Sequence, residues 1–287
     1  MELSATPMRN LPIKNSKLNI EHCDSMSQQF NIQHSKLNIE KMANFITRNI
    51  PNTLTCGNLV SGCIATVMAL GGDARCALIW IIIGAVFDFF DGMSARLFGV
   101  SSPIGKELDS LADDVTFGVA PSAIVFAQLS VMEYPTVLAS VEPYIPYCAF
   151  LIAAFSALRL AKFNLDTRQT TSFIGMPTPA NALFWGSLLV SQPTLIESSA
   201  WMIPAILLLV VLTSLLLVSE LPMFALKFKQ WGWRGNELRY SFIALSGVVI
   251  ALFGVIGGMW IVITLYFLTS VVADIVSRTH TTVDIEK

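Results

Sequence analysis

The chain has 287 residues, of which 54% are hydrophobic and 13% are charged, and its mean hydropathy is +0.62. Ordinary soluble domains carry about 25% charged residues, so this composition excludes a soluble domain and predicts an integral membrane protein. The net charge of −2 without a basic, aromatic-rich patch argues against a nucleic-acid partner, and five scattered cysteines argue against a disulfide framework or a zinc site.

The first 43 residues differ in composition and sequence pattern from the rest of the chain. They are polar, lack helical periodicity, and contain the string SKLNIE twice, at 16–21 and at 35–40. This composition predicts a disordered tail. Two interpretations stay open: a regulatory or partner-binding tail, or upstream sequence that precedes a true translation start at Met42.

Long apolar segments then recur to the end of the chain. They are continuous rather than alternating in polarity, which predicts transmembrane helices and not the strands of a membrane barrel. We therefore expect an all-α integral membrane protein with about eight transmembrane helices. The predicted spans are 50–70, 75–98, 104–131, 143–164, 179–194, 200–225, 239–256 and 258–278.

The basic residues are distributed unevenly between the loops that join these spans. Nearly all lysines and arginines after residue 47 fall on one side, whereas the other side carries only Arg75. By the positive-inside rule, both termini and the acidic turn between the second and third spans face the cytoplasm. We expect the membrane to be a bacterial cell (inner) membrane.

Four aspartates lie at the ends of the second and third spans. Asp88 and Asp91 are three residues apart, and Asp109 and Asp113 are four apart, so each pair shares one helix face. The connection is short, which predicts antiparallel neighbouring helices with two carboxylates facing two others. Asp114 points about 100° away from Asp113, and we interpret it as solvated.

Carboxylates within a membrane cost about 2.5–3.5 kcal/mol each, so this cluster needs a function. Facing carboxylates repel one another unless a cation lies between them, and Mg²⁺ or Mn²⁺ take oxygen ligands and bridge substrate phosphates. Cation transport is the alternative from another class. Transport sites, however, usually lie near the membrane midplane in repeated halves, and this motif occurs once, close to one surface.

The motif itself resembles a known family signature. Asp88-x-x-Asp91-Gly92-x-x-Ala95-Arg96, followed after eight residues by Gly105-x-x-x-Asp109-x-x-x-Asp113, is similar to the complete signature of the CDP-alcohol phosphatidyltransferases. The resemblance covers roughly residues 50–225. It implies a six-helix catalytic core, usually dimeric, to which the last helical hairpin would be an addition.

The resemblance also implies roles for single residues. Two divalent ions, Mg²⁺ or Mn²⁺, would lie on the diphosphate of a CDP-linked lipid, and Asp113 would also act as the general base on the acceptor hydroxyl. The metal ligands would be Asp88, Asp91, Asp109 and Asp113. The residues that would contact the CDP-lipid are Thr55, Asn58, Gly92, Ala95, Arg96 and Gly105.

Two further strings resemble the phosphatidylserine synthase branch of this family. They are NIPNTLTCGNLVSG, at the first span, and ALRLAKFNLDTRQTTSFIGMPTPANA, after the fourth. Serine is a zwitterion, so its pocket needs a cation for the carboxylate. The candidates are Arg159, Lys162 and Arg168, each of which is equally explained as a positive-inside charge. Asn164, Thr178 and Asn181 would orient substrate or cap helix ends.

The resulting expectation is an enzyme that transfers the phosphatidyl group from CDP-diacylglycerol to L-serine, releasing CMP. Glycerol 3-phosphate or inositol are alternative acceptors, and a strict requirement for a CDP-lipid would exclude the transporter. We expect membrane lipid as surroundings and a homodimer. The expected organisation is a tail (1–43), a catalytic membrane core (44–225), and a basic loop with a C-terminal hairpin (226–287).

Overall fold

A computed structural model describes residues 49–100, 102–165, 173–192, 201–223 and 236–285, with side chains to residue 275. The chain divides into a unit of residues 1–49 and a unit of residues 50–287. The elements below belong to the second unit, apart from Asn49, which begins the first helix. The predicted tail, Met42 and Arg168 lie outside the described residues.

The described part of the chain is almost entirely helical, as the apolar segments predict. Two very short strands, β1 (Phe173–Ile174) and β2 (Pro222–Met223), form one antiparallel pair. The helices are α1 (Asn49–Leu70), α2 (Ala74–Phe98), α3 (Pro103–Asp113), α4 (Ala120–Val131), α5 (Leu151–Leu165), α6 (Thr178–Ser191), α7 (Met202–Val218) and α8 (Glu237–Ile285). A π-helical turn (Asp114–Val119) joins α3 to α4, and 3₁₀ segments occupy Thr136–Leu138 and Glu142–Phe150.

Several of these helices have the length and apolarity of membrane spans. Five such helices occur among the described residues, and α7 is a shorter apolar helix of 17 residues. The all-α membrane architecture is therefore confirmed, whereas the count of eight spans stays a prediction. The five candidate spans are Asn49–Leu70, Ala74–Phe98, Pro103–Val131, Glu142–Leu165 and Glu237–Ile275.

Local sequence explains the tight connection between α2 and α3. Gly99 ends α2 in the left-handed conformation with φ 62°, which glycine adopts without strain. Ser102 caps α3 by accepting a hydrogen bond from the backbone N–H of Gly105 at 2.9 Å, and Pro103 occupies the first helical position. This short connection brings the two aspartate pairs together.

The π-helical turn lies in the centre of the helix packing, against α2, α5 and α6. Its residue Thr116 is fully buried where α1 and α2 have glycines instead of side chains. A Cβ at Gly62 would lie 2.7 Å from the Thr116 Cα, and one at Gly84 would lie 2.5 Å from its Cγ2. These two glycines therefore allow the close approach of three elements, as small residues do in membrane helices.

The last predicted hairpin forms differently from the expectation. We placed the boundary between the seventh and eighth spans at residue 257, but Gly257 and Gly258 are helical and the chain breaks at Gly254, with φ 73° and ψ 169°. Only glycine adopts this conformation readily. Just after the break, Ser187 of α6 bonds to the first turn of the following helical segment, donating to the Ile256 carbonyl and accepting from the Trp260 N–H.

Candidate active site

A cavity of about 310 Å³ opens between the start of α1, the last turns of α2 and the start of α3. Polar side chains and small residues form most of its wall. The lining residues are Pro51, Asn52, Thr55, Asp88, Asp91, Gly92, Ala95, Val100, Ser102, Gly105, Lys106 and Asp109.

Three of the four predicted aspartates converge in this cavity. Asp88, Asp91 and Asp109 each offer a carboxylate oxygen, and these atoms all lie within 4.8 Å of one another. Asp91 is buried, and the other two are partly buried. Three like charges this close repel strongly in a region of low dielectric. A set of carboxylate oxygens fits a hard divalent cation such as Mg²⁺ or Mn²⁺.

Thr55 of α1 positions one of these carboxylates. Its hydroxyl is buried and lies 2.6 Å from the Asp91 Oδ2 and 3.0 Å from the Pro51 carbonyl. Hydrogen bonds to metal-ligating carboxylates fix their orientation. The sequence places Thr55 one turn into the first span, and the structure brings it to the acidic cluster.

The fourth aspartate lies deeper, about one helical turn beyond Asp109. Asp113 is not part of the group of three, but its carboxylate is within electrostatic range of Asp88 and Asp109. The Asn58 side-chain amide donates to Asp113 Oδ1 at 3.0 Å, and the Thr116 hydroxyl donates to the Asn58 carbonyl at 3.0 Å. Asp113 is thus oriented by α1 and by the π-helical turn that follows it.

The predicted nucleotide-contacting residues are divided between the cavity and its surroundings. Gly92, Ala95 and Gly105 line the cavity. Arg96 does not line it: its side chain is exposed, and its Nε donates to the Gly92 carbonyl at 3.0 Å. The guanidinium nevertheless lies beside the cavity, because Gly92 forms part of the wall.

Two cavity residues were missed at the sequence level. Asn52 belongs to the string that we singled out at the first span but was given no role there, and Lys106 was counted only as an orientation signal. Lys106 lines the cavity, and its Nζ donates to the Asn164 carbonyl at 3.0 Å. The signal that was available is its position directly after Gly105 of the motif, where a cation would face a phosphate.

The three candidates for a serine-binding cation have different surroundings. Arg159 is 8% exposed, lies within electrostatic range of Asp113, and has its guanidinium 5.9 Å from the centre of the Phe163 ring. Lys162 is exposed. Arg168 lies outside the described residues. Of the two candidates that the structure describes, Arg159 is the one near the acidic cluster.

The structure also shows the surroundings of four further polar residues. Asn164 has a structural bond, since its side-chain amide donates to the Ser110 hydroxyl at 2.8 Å. Thr178 and Asn181 do not cap α6, whose N-cap is Pro177 without a side-chain bond. The expectation that Asp114 is solvated is wrong. It is half-buried, and its Oδ1, which lies beside Gly118 of the π-helical turn, has no hydrogen-bond partner among the described residues.

Comparison with known proteins supports the reading of this site. The CDP-alcohol phosphatidyltransferase family matches residues 48–269. A CDP-diacylglycerol–serine O-phosphatidyltransferase from Bacillus subtilis is 41% identical over 131 residues, which cover 45% of this chain and 69% of the relative.

Two further relatives are more distant. A protein of the same name from Mycobacterium leprae is 33% identical over 183 residues, covering 61% of this chain and 57% of the relative. An archaetidylserine synthase from Methanothermobacter thermautotrophicus is 32% identical over 149 residues, which cover 51% of this chain and 59% of the relative. The chain spans less than two thirds of the length of these two. The resemblance inferred from the aspartate motif is confirmed.

Proposed function

Because the chain belongs to the CDP-alcohol phosphatidyltransferase family, we propose that it transfers the phosphatidyl group of CDP-diacylglycerol to the hydroxyl of L-serine. The products are phosphatidylserine and CMP. The observation that carries this proposal is the group of three carboxylates within 4.8 Å that lines a cavity large enough for a diphosphate. The named relatives support serine as the acceptor.

The donor binds in the cavity between α1, α2 and α3. The small residues Gly92, Ala95 and Gly105 leave room for the nucleotide and its diphosphate. Arg96 and Lys106 supply positive charge for the phosphates from beside the cavity and from its wall, while Asn52, Thr55 and Asn58 belong to the α1 side.

The family depends on divalent metal ions in general, and the carboxylates fit them. Asp88, Asp91, Asp109 and Asp113 would hold two ions, either Mg²⁺ or Mn²⁺. When bound, these ions neutralise the diphosphate and make CMP a better leaving group.

Asp113 is the general base of the reaction. It accepts the proton of the acceptor hydroxyl as that oxygen attacks the phosphorus that carries the diacylglycerol. The bond from this phosphorus to the bridging oxygen breaks, and its electron pair leaves with CMP. Asn58 and Thr116 hold Asp113 in place for this step, so the base is positioned before the substrate arrives.

The acceptor enters from the α5 side. Arg159 is placed to bind the serine carboxylate, because it is buried and close to Asp113. Lys162 and Arg168 stay weaker candidates for the same role. Glycerol 3-phosphate and inositol are the alternative acceptors within the family.

The same proposal includes the arrangement in the membrane. Eight spans form a six-helix core in residues 44–225 with a C-terminal hairpin in 226–287, following the tail of residues 1–43. Both termini and the active site face the cytoplasm of a bacterial cell membrane, and two copies form a homodimer. The charge distribution of the loops supports the orientation.

The direct test is an assay of the purified protein in liposomes with CDP-diacylglycerol, Mg²⁺ or Mn²⁺, and a panel of alcohols. We expect CMP release and labelled lipid with L-serine. CMP release with glycerol 3-phosphate or inositol alone would replace the acceptor. No CMP release with any alcohol, from a folded preparation, would contradict the proposed activity.

A further inference from the structure

Buried polar atoms without partners occur on α5 and α6, outside the donor cavity. Ser156 and Arg159 lie on one face of α5, and Thr178 and Asn181 on the first turn of α6. All four side chains are at least 92% buried, with exposed fractions of 0%, 8%, 1% and 0%. Ser156 Oγ, Arg159 Nε, Thr178 Oγ1 and both polar atoms of the Asn181 side chain have no hydrogen-bond partner among the described residues.

Such atoms are costly in a folded protein. A buried donor or acceptor without a partner costs about 1–3 kcal/mol, and most such atoms in proteins are therefore satisfied. Helix capping does not account for these side chains, since Pro177 is the N-cap of α6 and no side chain caps that end. Both helices pack against the π-helical turn that follows Asp113, and a ligand bound there would complete the bonding of these atoms.

The π-helical turn connects these residues to the reaction centre. It packs against both α5 and α6, and it directly follows Asp113. A Cβ at Gly118 of this turn would lie 2.7 Å from the Asp114 Oδ1 and 3.0 Å from the Ser156 Cβ, so Asp114 and Ser156 meet across the glycine. Arg159 is within electrostatic range of Asp113.

The chemistry of these groups matches a zwitterion. Arg159 supplies a fixed positive charge, Asp114 supplies a half-buried carboxylate, and Asn181 offers both a donor and an acceptor. We propose that Asp114, Ser156, Arg159, Thr178 and Asn181 form a subsite that binds the ammonium and carboxylate groups of an α-amino acid. Arg159 binds the carboxylate, Asp114 and the Asn181 carbonyl oxygen accept from the ammonium, and the acceptor hydroxyl reaches Asp113. This inference rests on the proposed function and names the residues that select the acceptor.

The test uses the full-length protein in detergent with variants Asn181→Leu and Thr178→Val. The KM for serine and the KM for CDP-diacylglycerol are measured separately, together with the rise in thermal midpoint that serine causes in the presence of CDP-diacylglycerol. We expect the KM for serine to rise about ten- to hundredfold, because hydrogen bonds to charged groups are lost. The KM for CDP-diacylglycerol stays unchanged, and the stabilisation by serine is lost.

A pair of buried serines separates this role from a structural one. Ser156→Ala removes an unpartnered hydroxyl, so the thermal midpoint stays constant or rises while the KM for serine increases. Ser122→Ala is the matched control, since Ser122 is also fully buried but donates to the Gly118 carbonyl at 2.7 Å. We expect Ser122→Ala to lower the thermal midpoint, because the hydrogen bond to the Gly118 carbonyl is lost.

Two outcomes would overturn the subsite. One is an unchanged KM for serine in both Asn181→Leu and Thr178→Val. The other is a wild-type protein whose thermal midpoint does not respond to serine. If the wild-type protein releases no CMP with serine, the proposal that serine is the acceptor is wrong. The subsite would still be supported if serine raises the thermal midpoint of the wild-type protein and Thr178→Val abolishes that rise.

Discussion

At the scale of single residues, α1 orients the acidic groups that come from α2 and α3. Thr55 bonds to Asp91 and Asn58 bonds to Asp113, and these two polar residues are three apart on one helix face. Neither belongs to the aspartate motif itself. The motif supplies the charges, and α1 fixes their directions.

The bond between Thr55 and Asp91 gives the first prediction. Thr55→Val removes the hydroxyl with little change in shape, so Asp91 loses its orienting donor. We expect the Mn²⁺ or Mg²⁺ concentration for half-maximal activity to rise about 10–100-fold. Thr55→Ser is the matched control and keeps the wild-type dependence. An unchanged metal dependence in Thr55→Val would show that the bond has no positioning role.

Lys106 gives the second prediction. Lys106→Met keeps the length of the side chain but removes the charge that lines the donor cavity. We expect the KM for CDP-diacylglycerol to rise about tenfold, since a charged hydrogen bond to phosphate is lost, with the KM for serine unchanged. Lys162→Met, on an exposed lysine outside the cavity, is the comparison. Equal effects of the two substitutions would contradict a specific role for Lys106.

Some residues of the site could be predicted from the sequence and others could not. The spacing of the aspartates predicted their convergence, because periodicity alone places them on facing helix sides. Lys106 was missed because a lysine at the end of a span is equally explained by membrane orientation. The burial of Asp114 was missed because helix periodicity gives only its direction relative to Asp113, and does not show that the carboxylate lies beside Gly118 of the π-helical turn.

At the scale of elements, the π-helical turn determines how α1, α2, α5 and α6 approach one another. Such turns often occur at functional sites, and this one follows directly after the proposed base. The ends of the first four spans were predicted to within one residue from hydropathy. The π-helical turn was not predicted, because no composition signal distinguishes it within an apolar segment. The break in α8 was predicted at residue 257 but lies at Gly254. Several glycines lie nearby, and only the packing of the folded chain selects one of them.

The close packing around Thr116 gives the third prediction. A Cβ at Gly84 would lie 2.5 Å from Thr116 Cγ2 and 2.9 Å from Asn58 Oδ1, so Gly84→Ala displaces the residue that holds Asp113. We expect a loss of about 1–3 kcal/mol of stability together with a lower kcat. Gly247→Ala is the control, since nothing lies within 4 Å of its Cβ position and alanine favours the helix. Thermal unfolding in detergent and steady-state kinetics measure both effects.

The N-cap of α2 gives the fourth prediction. The backbone N–H of Cys76 donates to the Asp73 carboxylate at 2.9 Å and holds the pKa of Asp73 below its usual value. A lowered pKa in the folded state stabilises the protein above the unfolded pKa of about 3.9, and this contribution is lost as the pH falls through the folded pKa. Asp73→Ala therefore lowers the thermal midpoint at pH 7, and the difference from wild type shrinks as the pH falls through the lowered pKa of Asp73. A difference that is independent of pH would contradict the assignment.

At the scale of the whole molecule, composition and charge determined the class of the protein, and the aspartate motif determined its family. Both come from signals that the sequence carries directly: continuous apolar segments, and an aspartate motif with fixed spacing. The family match, which covers residues 48–269 of this chain, agrees with that motif. The acceptor is less well determined, because its binding residues are spread over α5, α6 and the π-helical turn. Their common feature, unpartnered polar atoms, exists only in the folded structure.

The orientation in the membrane is the fifth prediction. Single cysteines are introduced as Glu142→Cys and Leu165→Cys, at the two ends of one helical span, in a protein without other cysteines. We expect a membrane-impermeant thiol reagent, added to intact cells, to label position 142 and not position 165. Labelling of position 165 alone would reverse the topology and place the site on the outer face.

The central claim is that Asp113 is the base in a serine-dependent transfer from CDP-diacylglycerol. The most direct measurement is serine-dependent CMP release by wild type, Asp113→Asn and Asp73→Asn at saturating substrates. Asp73→Asn is the matched control, because asparagine caps a helix as well as aspartate does. We predict that wild type and Asp73→Asn release CMP equally and that Asp113→Asn is slower by about 10²–10⁴-fold. A folded Asp113→Asn protein with the wild-type rate would contradict the account.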